Sequence, residues 1–111
     1  MPFLDPRQRM FDMLAHAKEA VAMAAGKSRQ DLGHERSLEL SLTRLIEIIG
    51  EAASRVDGET QSRWPGIPWA EVISARNRLI HGYDSVDLDI LWAIVKQDLP
   101  GLIHSLEKAL K

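Results

Sequence analysis

The sequence predicts an all-α fold, an antiparallel bundle of four to five helices with short connections. Three observations predict it. Apolar residues recur at three- and four-residue intervals through most of the chain. No stretch alternates apolar and polar residues as a half-buried strand would. Glycine and proline fall between the periodic stretches, where helices must stop.

Each element has its own signal. Asp5-Pro6 reads as an N-cap followed by proline at the first helical position. Met10, Leu14, Ala17, Val21 and Ala24 keep helical spacing and Gly26 is a plausible stop, so the first helix is expected over residues 6–25. Residues 27–33 are polar and are expected to form a connection with at most a short turn. A long helix is expected over residues 34–56. Leu38, Leu42, Leu45, Ile49 and Ala53 form its stripe, and Leu40, Ile46, Ile48 and Ala52 widen it beyond one face. So broad an apolar circumference is covered on more than one side, either by the chain's own helices or by a dimer seam. Gly50 inside this helix costs roughly 1 kcal/mol relative to alanine, and close backbone approach by a neighbouring helix is the usual compensation.

Asp57-Gly58 ends the long helix, and Trp64-Pro65-Gly66-Ile67-Pro68 is a loop. Trp69 opens a third helix, with Val72, Ile73, Leu79 and Ile80 apolar and Gly82 as its C′ residue. A fourth helix is expected over residues 88–96. Asp98 caps a fifth, with Pro100 in the tolerated first turn and Leu102, Ile103, Leu106 and Leu110 on its apolar side.

Composition narrows the function classes. At 111 residues, the chain is read as a single helical domain spanning 1–111. With 45% hydrophobic and 27% charged residues it is globular rather than disordered. No apolar run approaches the roughly 20 residues of a membrane span, and no basic stretch followed by an apolar one marks a secretory signal. The absence of cysteine rules out disulfides and thiolate metal sites and suits a reducing cytoplasm, the expected location. A net charge of −2 argues against a general nucleic-acid coat but not against a local basic patch.

The chemistry concentrates in Arg76-Asn77-Arg78-Leu79-Ile80-His81-Gly82-Tyr83. Arg76 and His81 are five residues apart, about 140° around an ideal helix, and a helix end near Gly82 would let His81 turn back beside Arg76. Arg76 would donate two parallel hydrogen bonds to phosphate oxygens, and more strongly as charge develops there. A histidine's ordinary pKa, about 6.5, suits proton transfer at neutral pH. Cleaving RNA without metal moves two protons, one from the 2′-hydroxyl and one to the departing 5′-oxygen. The motif offers one histidine, and His16, His34 and His104 lie far away in sequence. A symmetric dimer that brings two His81 side chains to one cleft would supply the second.

Tyr83 either packs on the bundle end or accepts a nucleotide beside the arginines. Asn77 either orients a phosphate or is an exposed amide. Arg78 points elsewhere, toward an ion pair with Glu71, Glu59 or Asp84. Glu47 and Glu51 lie four residues apart on one face, as metal ligands could. The chain lacks the Glu-x-x-His pair of carboxylate-bridged bundles, and two solvated or ion-paired carboxylates are the plainer reading. No metal and no cofactor is expected.

The motif resembles the R-N-x-x-x-H-x-Y signature of the HEPN superfamily, in its HepT-like toxin branch. Ile48-Ile49-Gly50-Glu51-Ala52-Ala53 is similar to that branch's second-helix signature. Trp69, Val86-Asp87, Leu91-Trp92 and Asp98-Leu99-Pro100-Gly101-Leu102 follow its C-terminal pattern. The resemblance implies a HEPN-like homodimer with a composite cleft, acting as a metal-independent endoribonuclease toxin. It implies catalytic roles for Arg76 and His81, a supporting role for Asn77, and Tyr83 as the AMPylated residue. The implied partners are RNA and an MntA-like minimal nucleotidyltransferase antitoxin that adds AMP from ATP. The alternative within the same resemblance is a non-catalytic nucleotide- or RNA-binding module in complex with the nucleotidyltransferase.

Overall fold

A computed structural model describes residues 5–80 and 85–111. Helix α1 spans Pro6–Ala24, α2 Arg29–His34, α3 Arg36–Ser54, α4 Gly58–Arg63 and α5 Trp69–Leu79. Helix α6 (Leu88–Ala93) runs through one π-helical turn (Ile94–Asp98) into α7 (Leu99–Ala109). The architecture is an all-α, HEPN-like bundle. Helix α1 packs on α3 and α7, and α5 packs on α3.

Helix α1 begins as expected: the Asp5 side chain accepts a hydrogen bond from the Arg7 N–H, and Pro6 occupies the first turn. It stops before Gly26, whose φ of 76° falls in the region that only glycine enters without strain. Its buried face is Met10, Met13, Ala17, Ala20 and Ala24. Leu14 and Val21, expected on that face, are only half-buried beside it. The small residues let α3 approach closely, so the core line runs along alanines rather than along the larger side chains.

Residues 27–33 contain more order than expected. Ser28 and Asp31 form a reciprocal capping box, each side chain accepting from the other's backbone N–H, and this nucleates α2. Similarly, Asp57 does more than end α3. Its carboxylate accepts from the Thr60 N–H and hydroxyl, which starts α4.

In α3 the stripe Leu38, Leu42, Leu45, Ile49 and Ala53 is buried, as are Ile46 and Ala52. Leu40 is not, with 51% of its surface exposed, so the broad apolar face is only partly covered by the chain itself. Gly50 meets the expected close neighbour. A Cβ at that position would lie 3.1 Å from the Val72 carbonyl oxygen of α5 and 3.5 Å from that of Ile73. This contact fixes the spacing of α3 and α5.

Two helix ends differ from expectation. Helix α5 stops at Leu79, one residue before the end that Gly82 at C′ implies, because Ile80 is extended. Ile80 forms an antiparallel bridge with Val86, and the Asp87 N–H donates to the Leu79 carbonyl at 2.7 Å. At the other end of the chain the fourth and fifth predicted helices are continuous. Asp98 is helical and makes no capping bond. Pro100 has no N–H for the carbonyl four residues back, and its ring crowds that carbonyl. The helix widens just before it, and the Leu99 N–H bonds to the Ile94 carbonyl, five residues earlier. Lys96 in this turn donates to the Ala24 carbonyl at 3.0 Å, tying the end of α1 to the bundle.

Candidate active site

Of the motif residues, the structure describes Arg76, Asn77, Arg78, Leu79 and Ile80; His81 and Tyr83 lie outside the described residues, with Gly82 and Asp84. Leu79 is fully buried and anchors the end of α5. The Ile80–Val86 bridge then pairs the two described flanks of the segment that carries His81 and Tyr83.

Arg76 opens into a cleft of about 620 Å³ between α1, α3 and α5. Its Nε donates to the Glu47 carboxylate of α3 at 3.4 Å. Arg44, one turn earlier on α3, approaches the same carboxylate oxygen at 3.8 Å. Arg55 and Arg9 also line the cleft, and Arg55 donates to Glu51 at 3.1 Å. Four arginines thus face Asp12, Glu47 and Glu51. The Arg76 side chain is 56% exposed, so its ion pair is solvent-screened and worth about 0–1 kcal/mol. A phosphate group, with two charged non-bridging oxygens for the guanidinium fork, can displace so weak a partner. Arg44, Glu47 and Arg76 also wall a smaller cleft of about 380 Å³ that reaches Ile80, Ser85 and Val86. Arg76 therefore stands between the broad cleft and the flanks of the His81 segment.

Asn77 and Arg78 do not join Arg76. Asn77 is exposed and lines neither cleft. Arg78 lies over a third, mainly apolar cleft between α3, α5 and the C-terminal helix. Among the described residues no group of three histidines or carboxylates is placed to hold a metal ion. Glu47 and Glu51 instead accept from arginines.

His16, which the motif does not contain, also lines the Arg76 cleft. It lies on α1, sixty residues from Arg76 in sequence. Its signal was present as two polar stripes: Arg9, Asp12 and His16 on α1, and Arg44, Glu47, Glu51 and Arg55 on α3. Each keeps intervals of three and four residues, and each flanks a buried stripe of its own helix. Packing α1 on α3 sets the two polar stripes side by side.

A family model described as ribonuclease HepT-like matches residues 13–109. The chain belongs to that family. It is an endoribonuclease by family, and the match takes in α3, α5 and the part of α1 that carries His16. A candidate ribonuclease HepT of Thermococcus cleftensis is 34% identical to it over 90% of this chain and 94% of its own length. A candidate RNase of Methanocaldococcus jannaschii is 29% identical, covering 93% of this chain and 94% of its own. A third, a candidate RNase of Caldanaerobacter subterraneus subsp. tengcongensis, is 27% identical over 96% of this chain and 95% of its own. No solved structure matches the chain. Among the described residues no helix is long and apolar enough to cross a membrane.

Proposed function

We propose that the chain, as one domain over residues 1–111, is the toxin of a toxin–antitoxin pair and cleaves RNA without a metal. Arg76 clamps the scissile phosphate, and His81 gives a proton to the 5′-oxygen as it leaves. The observation that carries this reading is the placement of Arg76 in a broad, arginine-lined cleft beside the paired flanks of the His81 segment.

The cleft is of the size that holds small ligands, roughly 300–1,000 Å³. Its arginines offer planar forks to phosphate oxygens. Glu47 and Glu51 of α3 are both taken up by arginines, so guanidinium groups supply the charge that neutralises the phosphate. Two copies of the chain assemble as a homodimer, which covers the apolar surface that α3 leaves exposed at Leu40. An MntA-like minimal nucleotidyltransferase adds AMP from ATP to Tyr83. The added phosphate then occupies the arginines that RNA needs and silences the toxin in the cytoplasm.

The test is cleavage of a mixed tRNA pool in excess chelator by wild type and His81→Ala, with intact mass recorded on the same samples. Cleavage by unmodified wild type alone is the expected result. Equal inertness of both proteins at unmodified mass would contradict the reading.

A further inference from the structure

We infer that His16 is the general base of RNA cleavage, taking the proton of the attacking 2′-hydroxyl on Nε2. The inference rests on the reading above and names a residue that the motif does not contain.

The chemistry asks for two proton-transfer groups, and His81 can be only one of them in a given chain. Of the other histidines, His34 and His104 are exposed on α2 and α7 and line neither cleft of Arg76. His16 shares the 620 Å³ cleft with Arg76. Its ring is half-buried, and Nδ1 lies 2.6 Å from the Asp12 carbonyl oxygen. A carbonyl oxygen only accepts, so Nδ1 carries the hydrogen. In the neutral ring the lone pair is then on Nε2, which makes no hydrogen bond among the described residues. This is the tautomer of a base, held by the backbone of its own helix in the manner of oriented histidines elsewhere.

The step balances. The 2′-O–H bond breaks as the proton moves to Nε2 of His16, and the oxygen's electron pair forms the bond to phosphorus. The P–O5′ bond breaks, and protonated His81 gives its proton to the 5′-oxygen. The products are a 2′,3′-cyclic phosphate and a 5′-hydroxyl. Arg76 holds the phosphate in the same cleft as His16. Each active site then needs only one motif histidine.

The test compares wild type, His81→Ala and His16→Asn on two substrates. One is an ordinary RNA. The other carries a 5′-bridging sulfur, whose thiolate leaves without a proton. Asparagine keeps an N–H able to donate to the Asp12 carbonyl, so Tm should hold; His16→Gln serves as the second variant. General bases contribute roughly 10²–10⁴-fold. The expected result is a kcat lowered about 100-fold or more in both His16 variants on both substrates, with KM within about twofold of wild type. Wild-type kcat in the His16 variants, with His81→Ala inactive, would overturn the inference and leave the ribonuclease reading standing. Restoration of His16→Asn on the sulfur substrate alone would overturn the base assignment, because it would make His16 the acid. An inactive, unmodified wild type would overturn the reading itself, and the inference with it.

Discussion

Glu47 of α3 accepts a hydrogen bond from Arg76 of α5 at 3.4 Å, and the same carboxylate oxygen lies 3.8 Å from Arg44. One carboxylate thus sets two guanidinium groups side by side at the mouth of a cleft. Neither contact is short, so the arrangement orients the arginines without locking them away from a ligand.

Glu47→Gln separates orientation from attraction. The variant removes one negative charge from the cleft and frees both arginines. Stability should change by less than about 1 kcal/mol, since the pair is solvent-screened. RNA should bind at least as tightly, while kcat falls several-fold because Arg76 is no longer aimed. Steady-state kinetics check the split; a raised KM with unchanged kcat would contradict it.

Gly50→Val tests the spacing of α3 and α5. A valine there would drive two methyl groups into the α5 backbone, where even a bare Cβ stands 3.1 Å from the Val72 oxygen. Overpacking of this kind costs about 1–3 kcal/mol. Thermal unfolding should show the loss, and cleavage should fall with it because α5 carries Arg76.

Tyr83→Phe keeps the ring and removes the acceptor hydroxyl. The variant should cleave RNA at close to the wild-type rate and gain no AMP mass when incubated with ATP and the nucleotidyltransferase. An inactive variant would give Tyr83 a role in the reaction itself.

The helix caps predict a direction for acid stability. The Thr60 hydroxyl, and then its N–H, hold the Asp57 carboxyl below its ordinary range. The Ser28 backbone N–H does the same for Asp31. A carboxylate with a lowered folded pKa contributes stability that is complete above its unfolded value, about 3.9, and is lost as pH falls through the folded value. Asp57→Ala and Asp31→Ala should therefore lower Tm at pH 7. The gap to wild type should narrow as pH falls below about 4. A gap that stays constant over that range would contradict the assignment.

The long helices were legible because their signals are local and redundant. Asp5-Pro6 and Gly26 bound α1, and the stripe from Leu38 to Ala53 defines α3. Gly50 announced a close neighbour, though not that α5 would be the helix. The short helices α2 and α4 were hidden because six residues hold too little apolar periodicity; their caps at Ser28 and Asp57 were the readable part. The early end of α5 depends on pairing Ile80 with Val86, a contact that no helical pattern encodes. Pro100 reads as the first turn of a helix, whereas it widens one already running. Arg76 stood out within its motif. His16 did not, because its partners lie on α3 and α5 and only packing brings them to it.

The central claim is that Arg76 clamps the phosphate in this cleft, and Arg76→Lys tests it most directly. Lysine keeps the charge but loses the fork. The measurement is the single-turnover rate of RNA cleavage in excess chelator, alongside Tm for both proteins. A rate reduced by roughly 10²–10³-fold, as on losing a transition-state donor, with Tm unchanged, is the predicted result. Wild-type cleavage by Arg76→Lys would contradict the account.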